Sequence, residues 1–256
     1  MTERLAALRA AADENLIAAC DLLREHLGRP PEARRRFGAV EAMANGHEVA
    51  FYNPVLVLDG AATGDDVATA VDWVERQGMP CSVHVADLAP PDLDHALERL
   101  GFVGEAQVNP VMALAPIPPP PSAPPGIRSR AGGLELAEAW YGAFEAPERF
   151  RATFNEGFLG DPRVRIAVAE LDGDPVAGAA ALRSSQALGI YAVGTAERAR
   201  RRGCGRAATW AAIEAGRSIW GSEVAVLQST TMGFPLYRSM GFETVGTLRI
   251  WRRQSG

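Results

Sequence analysis

The sequence predicts a mixed α/β fold built as two tandem related halves, and three observations predict it. Apolar strand-like runs alternate with amphipathic helical stretches on both sides of the chain's midpoint. A proline-dense segment, "APIPPPPSAPPG", separates the two sides and holds seven of the 18 prolines. Sliding the sequence by 140 residues sets Leu100-Gly101-Phe102 on Met240-Gly241-Phe242, so the repeat is of domain size.

The elements follow in order. In the first half, "FYNPVLVL" reads as a strand, "DDVATAVDWVERQG" as a helix, "PCSVHVA" as a strand and "DLDHALERL" as a short helix. A Gly stop and an alternating strand close that half. Proline fixes φ and removes donors, so residues 115–126 form a stiff extended connector, the other use of such a segment being a docking ligand. The second half opens with the strand "GIRSR", and "LELAEAWYGAF" and "PERFRATFNEGFL" are helical. "RVRIAVAELDGDPVAGAAALRSS" reads as two strands about a tight Asp-Gly-Asp-Pro turn. The strand "QALGIYAVG", the helix "GCGRAATWAAIEAGRSI", the strand "EVAVLQS" and the helix before Gly241 complete the repeat. The expected division is 1–114, 115–126 and 127–256.

Composition bounds the function. At 256 residues, 47% hydrophobic and net charge −5, the chain has ample material for folded cores and no overall attraction to nucleic acid or anionic membrane. No run approaches the ~18 apolar residues of a membrane span, and no secretion signal is evident. The three cysteines, Cys20, Cys81 and Cys204, are far apart, and the four histidines form no HExxH. A cytoplasmic, metal-free setting is expected.

One stretch carries chemistry: "VGTAERARRRGCGRAATW", a strand end followed by arginines, Gly-Cys-Gly and a helix. A helix start leaves several N–H groups without intrahelical partners and carries about half a unit of positive charge. Glycines let an anion approach those groups, and arginines add bidentate donors. The arrangement suits a phosphate. The plain alternative is a solvated basic turn. A P-loop is excluded because no Gly-Lys-Ser/Thr follows, and the GxGxxG of a dinucleotide turn is missing. A nucleic-acid surface on Arg198 to Arg206 conflicts with the net acidity and the lack of interleaved aromatics.

This stretch resembles the coenzyme-A motif of the GNAT superfamily of N-acetyltransferases, an Arg/Gln-x-x-Gly-x-Gly/Ala core matched by Arg200 to Gly205. "TTMGFPLYRSMGFE" resembles the family's later motif, in which a helical tyrosine precedes a GF step. The resemblance covers residues 127–253 well and the first half in outline. It implies the GNAT fold in two tandem copies and acetyl-CoA as cosubstrate, with direct acetyl transfer to an amine and no enzyme nucleophile. By position it implies that backbone groups of Val193, Gly194 and Thr195 bind the pantetheine arm. Backbone N–H groups of Arg201, Arg202, Gly203, Cys204, Gly205 and Arg206 hold the pyrophosphate, Arg200 and Ser229 complete the coenzyme set, and Tyr237 contacts the coenzyme sulfur and protonates the leaving thiolate. Glu197 departs from the proline common at its slot. Cys204 occupies a variable slot, as a small filler or a redox group.

A base for the acceptor amine is sought in Glu145 or Glu156, each of which also reads as a solvated helix residue. Trp140, Tyr141, Phe144 and Phe154, at helical spacing, are core or acceptor wall. In the first half Asp65 and Asp66 stand where a phosphate needs cations, and Leu97 fills the slot of Tyr237, so that half is expected to be degenerate. The alternative to an enzyme is a catalytically silent acyl-CoA sensor or scaffold. A monomer or homodimer is expected, with no nucleic-acid or membrane partner.

Overall fold

The computed structural model describes residues 2–253, the side chains at 106 and 107 excepted. Helix α1 is Glu3–His26, followed by the hairpin β1 (Arg34–Phe37) and β2 (Val40–Met43). Then come β3 (Pro54–Val57), α2 (Gly64–Arg76), β4 (Ser82–Ala86), α3 (Leu93–Arg99) and β5 (Phe102–Leu114). The second half runs β6 (Ile127–Gly132), α4 (Ala137–Ala143), α5 (Glu148–Thr153), α6 (Glu156–Gly160), β7 (Val164–Leu171) and β8 (Asp174–Arg183). It ends with β9 (Leu188–Thr195), α7 (Cys204–Trp220), β10 (Ala225–Gln228), α8 (Phe234–Ser239) and β11 (Glu243–Arg253). The order hairpin, strand, helix, parallel strand, helix, strand thus occurs twice, as the repeat predicts.

Some boundaries differ from the sequence reading. "FYNPVLVL" is a strand only from Pro54; Ala50–Tyr52 is a 3-10 turn, and Asn53 Nδ2 donates to the carbonyls of His47 and Pro80. The segment from Glu148 to Leu159 is two helices, because Asn155 caps the second by accepting from the Phe158 N–H at 3.0 Å. The β1–β2 hairpin had no clear apolar pattern; its turn is made by Gly38 at φ 53°.

The chain forms two compact units. One gathers Cys20–Val111, Gln228–Phe234 and Thr244–Gly256. Its strand order is β1-β2-β3-β4-β11-β5, with β3 and β4 parallel and β11 antiparallel to β4 from Leu248↔Ala86 to Arg252↔Ser82. The place beside β4 is therefore filled from the chain's last strand. Helix α2 shows why it covers this sheet: Val67, Ala70, Val71 and Val74 recur at helical spacing and are all buried. They pack with Val55, Val83, Leu93, Leu97 and Trp251. Burial of each large apolar side chain contributes about 1.5–3 kcal/mol.

The other unit gathers Met1–Ala19, Met112–Leu227 and Pro235–Glu243. Its strand order is β10-β9-β8-β7-β6, antiparallel except for the β9–β10 pair. Ile166, Val168, Ala177, Ala179 and Ala181 are fully buried, so β7 and β8 are covered on both faces. Helix α7 ends at Gly221, whose φ of 69° suits glycine and whose N–H caps the Arg217 carbonyl. The first 19 residues belong to this unit although they come from the opposite end of the chain.

Candidate active site

Strands β9 and β10 start together and then part. Among the described residues their register is Ala225↔Leu188 and Val226↔Gly189 only, while β9 continues to Thr195. Past Gly189, β9 keeps its ladder to β8 alone, and that ladder is bulged between Gly178 and Ala180, where Ala192 adopts φ 47°. The backbone of Val193, Gly194 and Thr195 is left half-exposed on a strand with one free edge.

The strand ends in a turn shaped by unusual dihedrals. Glu197–Ala199 form a 3-10 turn, Arg201 lies at φ 62°, and Gly203 at φ 91° starts α7. Ala207 is the first residue of α7 with an intrahelical acceptor, the Gly203 carbonyl at 3.0 Å. Among the described residues, the N–H groups from Arg201 to Arg206 have no acceptor. Gly205 packs closely on β9: a Cβ there would stand 2.7 Å from Thr195 Oγ1, so a side chain would have to displace that hydroxyl. Gly203 is confined by Pro124, whose Cγ would lie 3.0 Å from an added Cβ, so the proline segment packs beside this turn.

Charge is arranged around these donors. Arg200, Arg201 and Arg202 are exposed, and no carboxylate pairs with them among the described residues. Arg198 pairs with Glu145 at 3.3 Å, and Arg206 donates to Ser239 Oγ at 2.6 Å. Cys204 is buried, and burial raises its thiol pKa, which fits a filler better than a reactive group.

Tyr237 sits on α8, 8% exposed, edge-on to Phe242 with ring centroids 5.8 Å apart. Its carbonyl accepts from the N–H groups of Met240 and Phe242, which fixes the turn at Gly241, φ 96°. Burial pushes the phenol pKa up to about 12, so it holds its proton at neutral pH. Among the described residues the hydroxyl has no hydrogen-bond partner.

The remaining predicted residues divide. Glu145 follows α4 at φ 51° with an exposed side chain, and Glu156 is exposed at the start of α6. Ser229 groups with the other compact unit; its N–H donates to the Pro110 carbonyl and its hydroxyl to the Thr230 carbonyl, each at 2.8 Å. Trp140 is fully buried and its Nε1 donates to the Ala179 carbonyl, so it is core. Tyr141 is also buried, its hydroxyl donating to the Phe154 carbonyl. Phe144 and Phe154 are half-buried. The Phe144 ring stands over the paired glycines Gly178 and Gly194, where any Cβ would strike it.

Sequence reasoning missed Asn15 and Tyr191. The available signals were a polar residue within the apolar stripe Leu8, Ala11, Ala12 and Leu16, and a glycine inside the strand "LGIYAV".

Similarity to known proteins bears on the fold and on residues 134–219. The family described as "Acetyltransferase (GNAT) domain" matches residues 134–219. A GCN5-related N-acetyltransferase from Kribbella flavida superposes with TM-score 0.72 at 21% identity, covering 97% of this chain and 96% of that one. A functionally unknown conserved protein from Staphylococcus epidermidis gives 0.61 at 12%, over 87% and 95%. A tandem GNAT protein from the clavulanic acid biosynthesis pathway gives 0.58 at 13%, over 86% and 80%. At such identities the likeness establishes the fold. No curated protein matches the sequence. Residues 134–219 match the acetyltransferase (GNAT) domain family, and the chain has the fold of the GCN5-related N-acetyltransferase and of the tandem GNAT protein it superposes on.

Proposed function

We propose that the protein is an acetyl-CoA-dependent N-acetyltransferase whose working site belongs to the second half, 127–256, joined through 115–126 to a degenerate half, 1–114. The observation that carries this reading is the turn from Arg201 to Arg206, whose N–H donors lack acceptors among the described residues and are rimmed by Arg200, Arg201 and Arg202, exposed and without a carboxylate partner there. A pyrophosphate satisfies both. Backbone groups of Val193 to Thr195 then hold the pantetheine arm in the gap where β9 leaves β10.

Chemistry in this reading is direct. The amine nitrogen attacks the thioester carbonyl, the carbon–sulfur bond breaks, and Tyr237 gives its proton to the departing sulfur. The amine's own proton leaves to a carboxylate or through water. Glu145 is the assigned base; its ion pair with Arg198 ties it to the loop before the turn. Ser229 is the weakest member of the assigned coenzyme set, because its polar groups are already engaged. No helix among the described residues is long and apolar enough to cross a membrane, and none of their side chains cluster as metal ligands.

Free-CoA release measured against a panel of amines tests the reading. Turnover with at least one amine is expected. Tight acetyl-CoA binding without turnover on any amine would instead support the silent sensor.

A further inference from the structure

Within the unit that carries the proposed site, helix α1 meets strand β9 through a buried amide. Asn15 is 1% exposed. Its Nδ2 donates to the carbonyls of Leu182 and Ala187, both at 3.3 Å, and its Oδ1 accepts from the Tyr191 hydroxyl at 2.8 Å. These carbonyls flank the turn between β8 and β9, and Tyr191 is on β9 itself. Glu14, the preceding residue, accepts from Ser185 Oγ at 3.1 Å in the same turn. A Cβ on Gly189 would overlap the Asn15 amide, so glycine is required there for the helix to approach.

The placement of this clamp gives it a consequence for the site. Gly189 is the last residue of β9 in register with β10. Tyr191 lies just beyond it, and Ala192 with its φ of 47° follows at once. A strand segment free on one edge and bulged on the other has little of its own to fix its position. Asn15 supplies a fixed point at the first outward step. Its own polar atoms are satisfied only if β9 lies where it does, since an unmet buried amide is costly.

We infer that Asn15 is a positioning residue for acetyl transfer: α1 holds β9, through Tyr191, at the divergence that receives the coenzyme arm. The inference rests on the function proposed above. It makes the N-terminal helix part of the working site although 176 residues separate Asn15 from Tyr191.

Calorimetry with acetyl-CoA on the full chain tests it, with wild type, Tyr191→Phe, Asn15→Ala and the double variant. Tyr191→Phe deletes one hydroxyl and keeps the ring, and should raise the Kd about threefold to tenfold, the range that one neutral hydrogen bond carries. Asn15→Ala should raise it further, and the double variant should be no weaker than Asn15→Ala, because the two groups act as one. A purely architectural helix would lower the Tm of the variants and leave Kd and KM at the wild-type value. A Kd within twofold of wild type for folded Tyr191→Phe, with wild type binding normally, overturns the positioning role alone. Failure of the wild-type chain to bind acetyl-CoA overturns the proposed function as well. Tyr191→Phe decides the matter even where Asn15→Ala does not fold.

Discussion

Gly205 lies so close to Thr195 that a Cβ on the glycine would stand 2.7 Å from the threonine Oγ1. The start of α7 and the end of β9 thus approach so closely that a side chain on Gly205 would have to push the threonine hydroxyl aside. Gly205→Val should displace the turn and raise the acetyl-CoA Kd at least about tenfold. Gly203→Asp should do more, because it adds negative charge among the donors and a side chain against Pro124. Calorimetry on folded variants checks both, and wild-type affinity in Gly203→Asp would contradict the site.

Tyr237 offers a phenol with a pKa raised to about 12 and a hydroxyl free of partners among the described residues. A thiol pKa near 8.5 makes thiolate a tolerable leaving group unaided. General acids contribute about 10² to 10⁴-fold, so this one belongs near the lower end. Tyr237→Phe should lower kcat about 10²-fold with coenzyme Kd little changed. The ring would still pack on Phe242, so a kcat within about twofold of wild type, with chemistry rate-limiting, would reduce Tyr237 to a packing residue.

The two halves treat their equivalent helix starts oppositely. On α2, Thr63 Oγ1 accepts from the Asp66 N–H at 3.2 Å and the Asp66 carboxylate accepts from the Thr63 N–H at 3.0 Å. The donors that an anion needs are taken by the helix's own side chains, one of them an acid. Leu97 is fully buried in the core. Titration should therefore give one acetyl-CoA per chain. A stoichiometry of two that persists in Gly203→Asp would assign a second site to the first half.

His84 supplies a pH dependence unrelated to chemistry. Burial pushes its pKa down to about 4, and its Nε2 is 2.9 Å from Ser82 Oγ. The folded-state pKa lies below the unfolded value of about 6.5, so neutral His84 stabilises the fold above that pH. That contribution should fall away as pH drops toward 4, by about 3 kcal/mol. Urea melts at pH 7 and pH 4 should show a steeper loss for wild type than for His84→Gln. Equal losses would remove His84 from the account.

Much of this was legible in the sequence because it is local. Gly203 and Gly205 leave room for an anion at a helix start, any helix start leaves its first N–H groups unmet, and the spacing of Val67, Ala70, Val71 and Val74 marks a covered face. Those are properties of short segments, so the turn, the α2 helix and the repeat of elements could be read directly. Which strand stands beside which could not, because a β-ladder satisfies any backbone of suitable register. Only the folded chain places β11 next to β4, and the last strand thereby completes the sheet of the unit begun by Cys20. It alone brings Asn15 to Tyr191, where a buried amide and a strand with one free edge satisfy each other.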